Sequence, residues 1–189
     1  MAYTTIDKPT DYFNTLTYTG NGTADRGITG VGFQPDWVWI KNRTDASSHK
    51  IFDSVRGAGL EIESDTTDAQ VGTLNAGKLP SFDSDGFTVS SSNTVNGSSD
   101  NMVAWNWHTG ATASSNSNGS ITSSVSANTT AGFSIVSYTG TGSSATIGHG
   151  LGAVPKMIIS KSLASGEHWG TYHASLGNGK ALALNLHDA

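Results

Sequence analysis

The chain contains no cysteine, so it can build no disulfide framework, no thiolate nucleophile and no zinc–thiolate site. Charge is scarce as well. Only 13% of the 189 residues are charged, and the ten Lys and Arg are scattered. The net charge of −5 and pI near 5.5 argue against a nucleic-acid footprint, which needs clustered cations. No apolar run approaches the ~20 residues of a helical membrane span. The start, Met1-Ala2-Tyr3-Thr4-Thr5-Ile6-Asp7-Lys8-Pro9, has neither the basic n-region nor the apolar h-region of a secretory signal. Glycine follows no three-residue period, which excludes collagen.

What fills the chain instead is small and polar. The 23 Gly, 26 Ser, 23 Thr and 13 Asn make up 85 of 189 residues. These are poor helix formers, so a strongly helical protein is excluded. Acidic groups crowd the first half: residues 1–100 carry 13 acidic and 7 basic side chains, residues 101–189 only 2 and 3. Six Phe, five Tyr and five Trp can supply the core that a cysteine-free chain of this size needs.

The chain repeats itself at an offset of 120 residues. Tyr18-Thr19-Gly20-Asn21-Gly22-Thr23 returns as Tyr138-Thr139-Gly140-Thr141-Gly142-Ser143, and Gly30, Gly32, Pro35 and Lys41 fall on Gly150, Gly152, Pro155 and Lys161. Ser54-Val55-Arg56-Gly57 is echoed by Ser175-Leu176-Gly177 with one residue of slippage. The expected organisation is a first module over 1–108, a flexible Ser/Asn-rich linker over 109–118, and a second, homologous module over 119–189. The second copy lacks counterparts of Ser81–Val89 and Asn101–His108. Either the polypeptide continues into further repeats, or another chain supplies the missing strands; the first is preferred.

Short runs of β-branched and aromatic residues alternate with Gly, Asn, Asp and Ser, which predicts an all-β protein. Strands are expected at 11–18, 36–42, 49–54, 59–64, 86–91, 101–108, 120–125, 132–138, 155–161, 168–173 and 180–186. Asp85-Gly86, Asn96-Gly97, Asn118-Gly119 and Asn178-Gly179 are tight-turn signals. The fold class that follows is a tandem of β-sandwich modules of jelly-roll or lectin-like type, the second copy incomplete. The stretch Thr67–Leu74 alone has any helical character. In Asp36-Trp37-Val38-Trp39-Ile40-Lys41 both Trp share one strand face. The second copy places Met157 and Ile159 there, which keeps burial and destroys stacking, so Trp37 and Trp39 are expected in the core between sheets, on a central strand. Core is also the default for Trp105 and Trp107.

Signals for chemistry are thin. Glu61, Glu63 and Asp65 share a strand face, and paired carboxylates can hydrolyse glycosides. A charged, solvent-facing strand edge explains them more simply. The six histidines (His49, His108, His149, His168, His173 and His187) make neither a His-x-His pair nor a His-Glu-x-x-His motif. Asp65, Asp68, Asp83 and Asp85 sit in loops and are weak calcium candidates; with no EF-hand spacing, Asx turns are the better explanation. No serine sits in a Gly-x-Ser-x-Gly elbow. The chain is therefore read as non-enzymatic and without a cofactor. Should it bind a glycan, the candidates are Tyr18, Tyr138, Trp105, Trp107 and Trp169, beside polar loops.

Two groups of strings resemble known modules. Gly30–Lys41, Phe52-Asp53-Ser54-Val55-Arg56-Gly57, Phe82–Thr88 and Val103-Ala104-Trp105-Asn106-Trp107 are similar to a module common in structural proteins of marine tailed bacteriophages. Gly119–Val136 and His149–Lys156 resemble its usual companion. The resemblance covers nearly the whole chain and carries no catalytic residue onto it. It implies a virion component of tail-fibre or adhesin type with lectin-like β modules, assembled in the host cytoplasm and released on lysis. The implied partners are other virion proteins, further copies of the chain and a host-surface glycan, with neither nucleic acid nor membrane insertion. A capsid decoration or head-fibre protein and a glycan-binding module are the alternatives.

Overall fold

The computed structural model describes residues 6–186, which leaves His187 outside the described residues. After a 3-10 turn at Pro9–Asp11, the chain forms β1 (Phe13–Thr19), β2 (Arg26–Thr29), β3 (Trp37–Asn42), β4 (Lys50–Asp53), β5 (Leu60–Glu63), β6 (Val71–Gly72), β7 (Ser81–Asp83) and β8 (Gly86–Val89). A single-turn helix α1 (Asn93–Asn96) precedes β9 (Asn101–Trp107). Then follow β10 (Ser114–Asn116), β11 (Ser123–Asn128), β12 (Phe133–Tyr138), β13 (Met157–Ser160), β14 (Gly170–His173) and β15 (Leu182–Ala183). The protein is all-β, and its named strands pair antiparallel.

The first unit is a two-layer sandwich. A six-stranded sheet in the order β1-β9-β3-β4-β5-β6 faces a three-stranded sheet in the order β2-β8-β7. Between them lie Ile28, Val38, Ile40, Phe52, Phe87, Val89 and Ala104, with Leu79 and Val95 from the connections. Period-two alternation produces this layer. In β9, Met102, Ala104 and Asn106 are buried while Val103, Trp105 and Trp107 are half-buried on the opposite face. Each fully buried Val, Ile or Phe here contributes about 1.5–3 kcal/mol. Within the small sheet the β7–β8 turn is tied to the exit of β2 by Asp85, whose carboxylate accepts from Gly30 N (3.0 Å) and Gly32 N (2.6 Å). Both glycines take positive φ (96° and 89°), which is why the repeat keeps glycine there.

Three expectations need correction. Trp37 and Trp39 are not between the two sheets. β3 is central, but its buried residues are Val38, Ile40 and Asn42, and the two Trp sit half-buried on the outer face of the large sheet. Alternation admits either face, and the smaller aliphatic pair fits the close-packed interior. The segment 109–118 is not a flexible linker: it contains β10, which pairs with β11, and it begins with Thr109 N (2.8 Å) and Gly110 N (3.0 Å) donating to buried Asp36. Backbone pairing needs no large side chains. The weak helical stretch at 67–74 instead contains β6, and the helix lies at α1.

The second half repeats the first in its hydrogen-bonding register. In β3–β4, Trp37 lies opposite Asp53 and Ile40 opposite Lys50; in β13–β14, Met157 lies opposite His173 and Ser160 opposite Gly170. Ile51 pairs with Ile62, and Thr171 with Leu182. Every one of these positions is displaced by 120. The backbone bond from Ser54 N to Asp36 O recurs from Ala174 N to Lys156 O, each 2.8 Å. Lys41 Nζ holds the carbonyl of Asp45 (3.0 Å), and Lys161 Nζ that of Ser165 (3.2 Å), which explains why this lysine repeats. β12 likewise stands 120 residues after β1.

Candidate functional site

The outer face of the large sheet carries an aromatic ledge. Strand register sets it in rows: Phe13, Trp107 and Trp37 lie side by side across β1, β9 and β3, and Thr15, Trp105 and Trp39 form the next row. Phe13 and Trp107 have ring centroids 4.8 Å apart, tilted by 55°. Phe133 of β12 stacks on Trp107 (6.1 Å, 25°) and meets Trp37 edge-on (6.5 Å, 86°). Trp39 contacts Trp105 edge-on at 6.1 Å.

The second unit covers only part of this face. At the β4–β5 end, Trp169 is 2% exposed and packs with Ile51 and Ile62, beside Trp37, Trp39, Leu163 and Leu184. Its Nε1 donates to Glu63 O at 2.8 Å. Lys161 Nζ also reaches Thr67 O (3.1 Å), and Gln70 N donates to Leu163 O (2.9 Å). The cover thins towards β1, where Phe13, Thr15, Thr17 and Thr19 are exposed. There a cleft of about 340 Å³ opens, lined by Tyr12, Phe13, Trp107, Ala131, Gly132 and Phe133 among others. Aromatic faces beside a row of threonine hydroxyls can stack an apolar ring face and hydrogen-bond its polar rim.

The five sequence candidates do not converge. Trp107 lines the cleft and Trp105 sits one row away, half-buried. Tyr138 is 48% exposed and borders a separate depression of about 400 Å³ formed with the loop 140–145, Ile121 and Ile147. Trp169 is spent on the contact between units and offers no surface. Tyr18 is turned inward: its hydroxyl donates to Val95 O (2.7 Å), its ring meets Phe87, and burial pushes the phenol pKa up. Phe13 and Phe133 were missed, although they stand 120 residues apart just upstream of the Tyr-Thr-Gly string; extending the repeat five residues would have found them.

The polar clusters are structural in their contacts. Glu61 and Glu63 do not form a solvent-facing edge. Glu61 is 3% exposed and ion-paired to Lys78 and, at 3.7 Å, to Lys50; Glu63 also pairs with Lys50. Burial pushes the Lys50 pKa down, opposed by Glu61. Three of the four calcium candidates are engaged by the protein itself: Asp65 accepts from His49 N, Asp83 from the Ser81 and Thr88 hydroxyls, and Asp85 from the two glycines, while Asp68 is exposed. Among the described residues no three His, Asp or Glu side chains gather to hold a metal. His108 Nδ1 lies 3.4 Å from Asp36, but it is closer to Gln34 O (2.9 Å), and Asp36 already accepts from Ser54, Thr109 and Gly110. That carboxylate anchors the start of β3 to the passage into the second unit.

Fold and ledge together define a class: an all-β sandwich whose outer sheet face is shared between a second β unit and solvent. The chain belongs to the family described as Domain of unknown function (DUF7483), whose model matches residues 8–189. No curated protein and no solved structure matches it.

Proposed function

We propose that this chain is a non-enzymatic structural protein of a tailed-phage virion, of the tail-fibre or adhesin kind, working in assembly and host-surface contact. One observation carries the assembly part. Eight of the eleven large hydrophobic side chains that stand exposed among the described residues belong to the second unit: Tyr138, Val154, Met157, Ile158, Ile159, Leu176, Leu182 and Leu186. A surface this apolar is one that other protein covers. The resemblance of both halves to phage structural modules supplies the setting, with other virion proteins and further copies of the chain as partners. Mass spectrometry and immunogold labelling of intact particles test the reading. The protein is expected at the tail or its fibres; labelling on the capsid favours a decoration or head-fibre role, and absence from particles rejects both.

The cleft at Phe13, Trp107 and Phe133 favours a second reading, glycan binding at a host surface. On a glycan array, retention is expected to fall in Trp107→Ala and to persist in Tyr138→Ala. An array with no retained sugar removes this reading and leaves the first intact.

A further inference from the structure

Lys50 is 4% exposed, and two carboxylates meet its amine. Lys50 and Glu63 are directly paired across β4 and β5, so their side chains stand on one face, and Lys50 Nζ contacts Glu63 Oε1. Glu61 precedes Glu63 by two residues and shares that face; its Oε1 lies 3.7 Å from the same nitrogen. We propose that Lys50 and Glu63 condense to an amide, a covalent staple between β4 and β5, with Glu61 carrying the proton. The Lys50–Glu63 ion pair is the reactant of that step.

An amine attacks a carboxyl group when it is neutral, held against it and shielded from water. Burial, the largest influence, pushes the Lys50 pKa down; Glu61 opposes this and the Lys78 cation adds to it. Lysines desolvated beside a second cation are the ones that act as nucleophiles. In the step, the Lys50 ammonium passes a proton to Glu61, and the freed lone pair of Nζ forms the bond to Cδ of Glu63. A Cδ–O bond then breaks with its electron pair. That oxygen leaves as water with two protons from the original ammonium, one of them returned by Glu61, which begins and ends as a carboxylate. Nothing is oxidised or reduced, and no co-reactant is needed. The Glu63 side chain is 19% exposed, which gives the water a way out. Lys50 and Glu63 each lose one charge, of opposite sign, while Lys78 and Glu61 remain as a pair. The product thereby sheds the desolvation penalty of one buried ion pair. The second unit is an internal comparison. At the offset of 120 residues it has Gly170, Ala181 and Ala183, and Gly170 lies opposite Ala183 as Lys50 lies opposite Glu63. All three reacting groups are missing there together. In a chain without cysteine, the staple joins the two strands whose Ile51 and Ile62 pack against Trp169. The inference goes beyond the virion reading and does not depend on it.

Mass spectrometry of the purified, folded protein is the test. The intact chain is expected to be lighter than its sequence by one water. Trypsin should fail to cut after Lys50 and should release one branched product that joins residues 44–56 to residues 57–78. Lys50→Arg and Glu61→Gln are each expected to restore the full mass and the separate peptides. Circular dichroism establishes that the variants keep their strands, and the mass of the parent protein decides the staple even where a variant fails to fold. A parent protein at full sequence mass would overturn the proposal. So would a lost water that maps to residues 79–156, where Asp85-Gly86 can close to an imide of the same mass loss, or a branched product formed in parent yield by Glu61→Gln.

Discussion

Gly20 and Gly140 hold the same place in the repeated Tyr-Thr-Gly string, yet their surroundings differ completely. A β-carbon on Gly20 would lie 2.0 Å from Gly97 O, whereas one on Gly140 meets nothing within 4 Å. Gly20 is pinned by backbone that the second unit does not place around Gly140: Gly20 N donates to Asp100 O (2.7 Å), and Ser99 N donates to Gly20 O (2.9 Å). Gly20→Ala is therefore expected to cost about 1–3 kcal/mol or more through backbone displacement. Gly140→Ala is expected to be near neutral. Thermal unfolding of the two variants side by side checks this, and equal shifts would contradict it.

A second residue-scale expectation concerns pH. His49 Nδ1 accepts the indole N–H of Trp39 (3.2 Å), a bond only the neutral imidazole can make at that atom. Burial, the larger influence, lowers the His49 pKa below 6.5, with Asp65 opposing. The folded state thus resists protonation more than the unfolded one. Stability from this group is complete above 6.5 and is lost as pH falls through the folded pKa. Melting temperature measured from about pH 8 to pH 5 should fall more in the parent than in His49→Gln, whose amide does not titrate. Parallel profiles would refute the assignment.

At the scale of single elements, β4 and β5 show how charge is taken into the sandwich. Lys50 and Glu61 are buried next to each other, with Glu63 and Lys78 completing two opposite pairs. Removing one partner from such a group leaves an uncompensated buried charge. Glu61→Gln is expected to destabilise by about 3–5 kcal/mol. The double variant Glu61→Leu with Lys78→Met should recover much of that, since it replaces one whole pair by apolar side chains and leaves Lys50 with Glu63. Denaturant midpoints of the single and double variants form the test, and a single variant without effect would show that water reaches the cluster.

The same elements show what a sequence discloses and what it hides. β3, β9 and β12 were legible because their alternation is strong and flanked by turn residues. β2, with Ile28 as its sole buried side chain, and β10, made of Ser and Asn, were not, because pairing to β8 and β11 rather than their own pattern makes them strands. The burial of Glu61 escaped for a related reason. Alternation says that Glu61 and Glu63 share a face, but only the fold shows that this face also carries Lys50 and receives Lys78 from the connection after β6. The ledge was half legible: the Trp pairs were noted, while Phe13 and Phe133, which complete it, carried no motif of their own.

For the whole molecule the governing question is whether two units at an offset of 120 residues act as one body. The contact between them rests heavily on Trp169, which stands where the first unit has His49 and fills the space over Ile51 and Ile62. This is the point where duplication gave way to divergence: the position that supports the outer face in the first unit became, in the second, the side chain that lies on that face. Its burial predicts coupled unfolding, with a single transition by calorimetry. Trp169→Ala removes a large buried ring and is expected to cost about 3–5 kcal/mol. It should also separate the transition into two, as the second unit loses its seat before the sandwich melts. Trp169→Phe keeps most of the apolar contact and loses the bond to Glu63 O, so it should cost less and keep one transition. Limited proteolysis within 109–118, a passage held by Asp36, should accelerate in the alanine variant alone. A Trp169→Ala protein that melts in one unshifted transition would mean that the units are joined through Phe133 on the aromatic ledge. The cleft beside Trp107 would then be the seam of the molecule, and no ligand could use it without opening the joint.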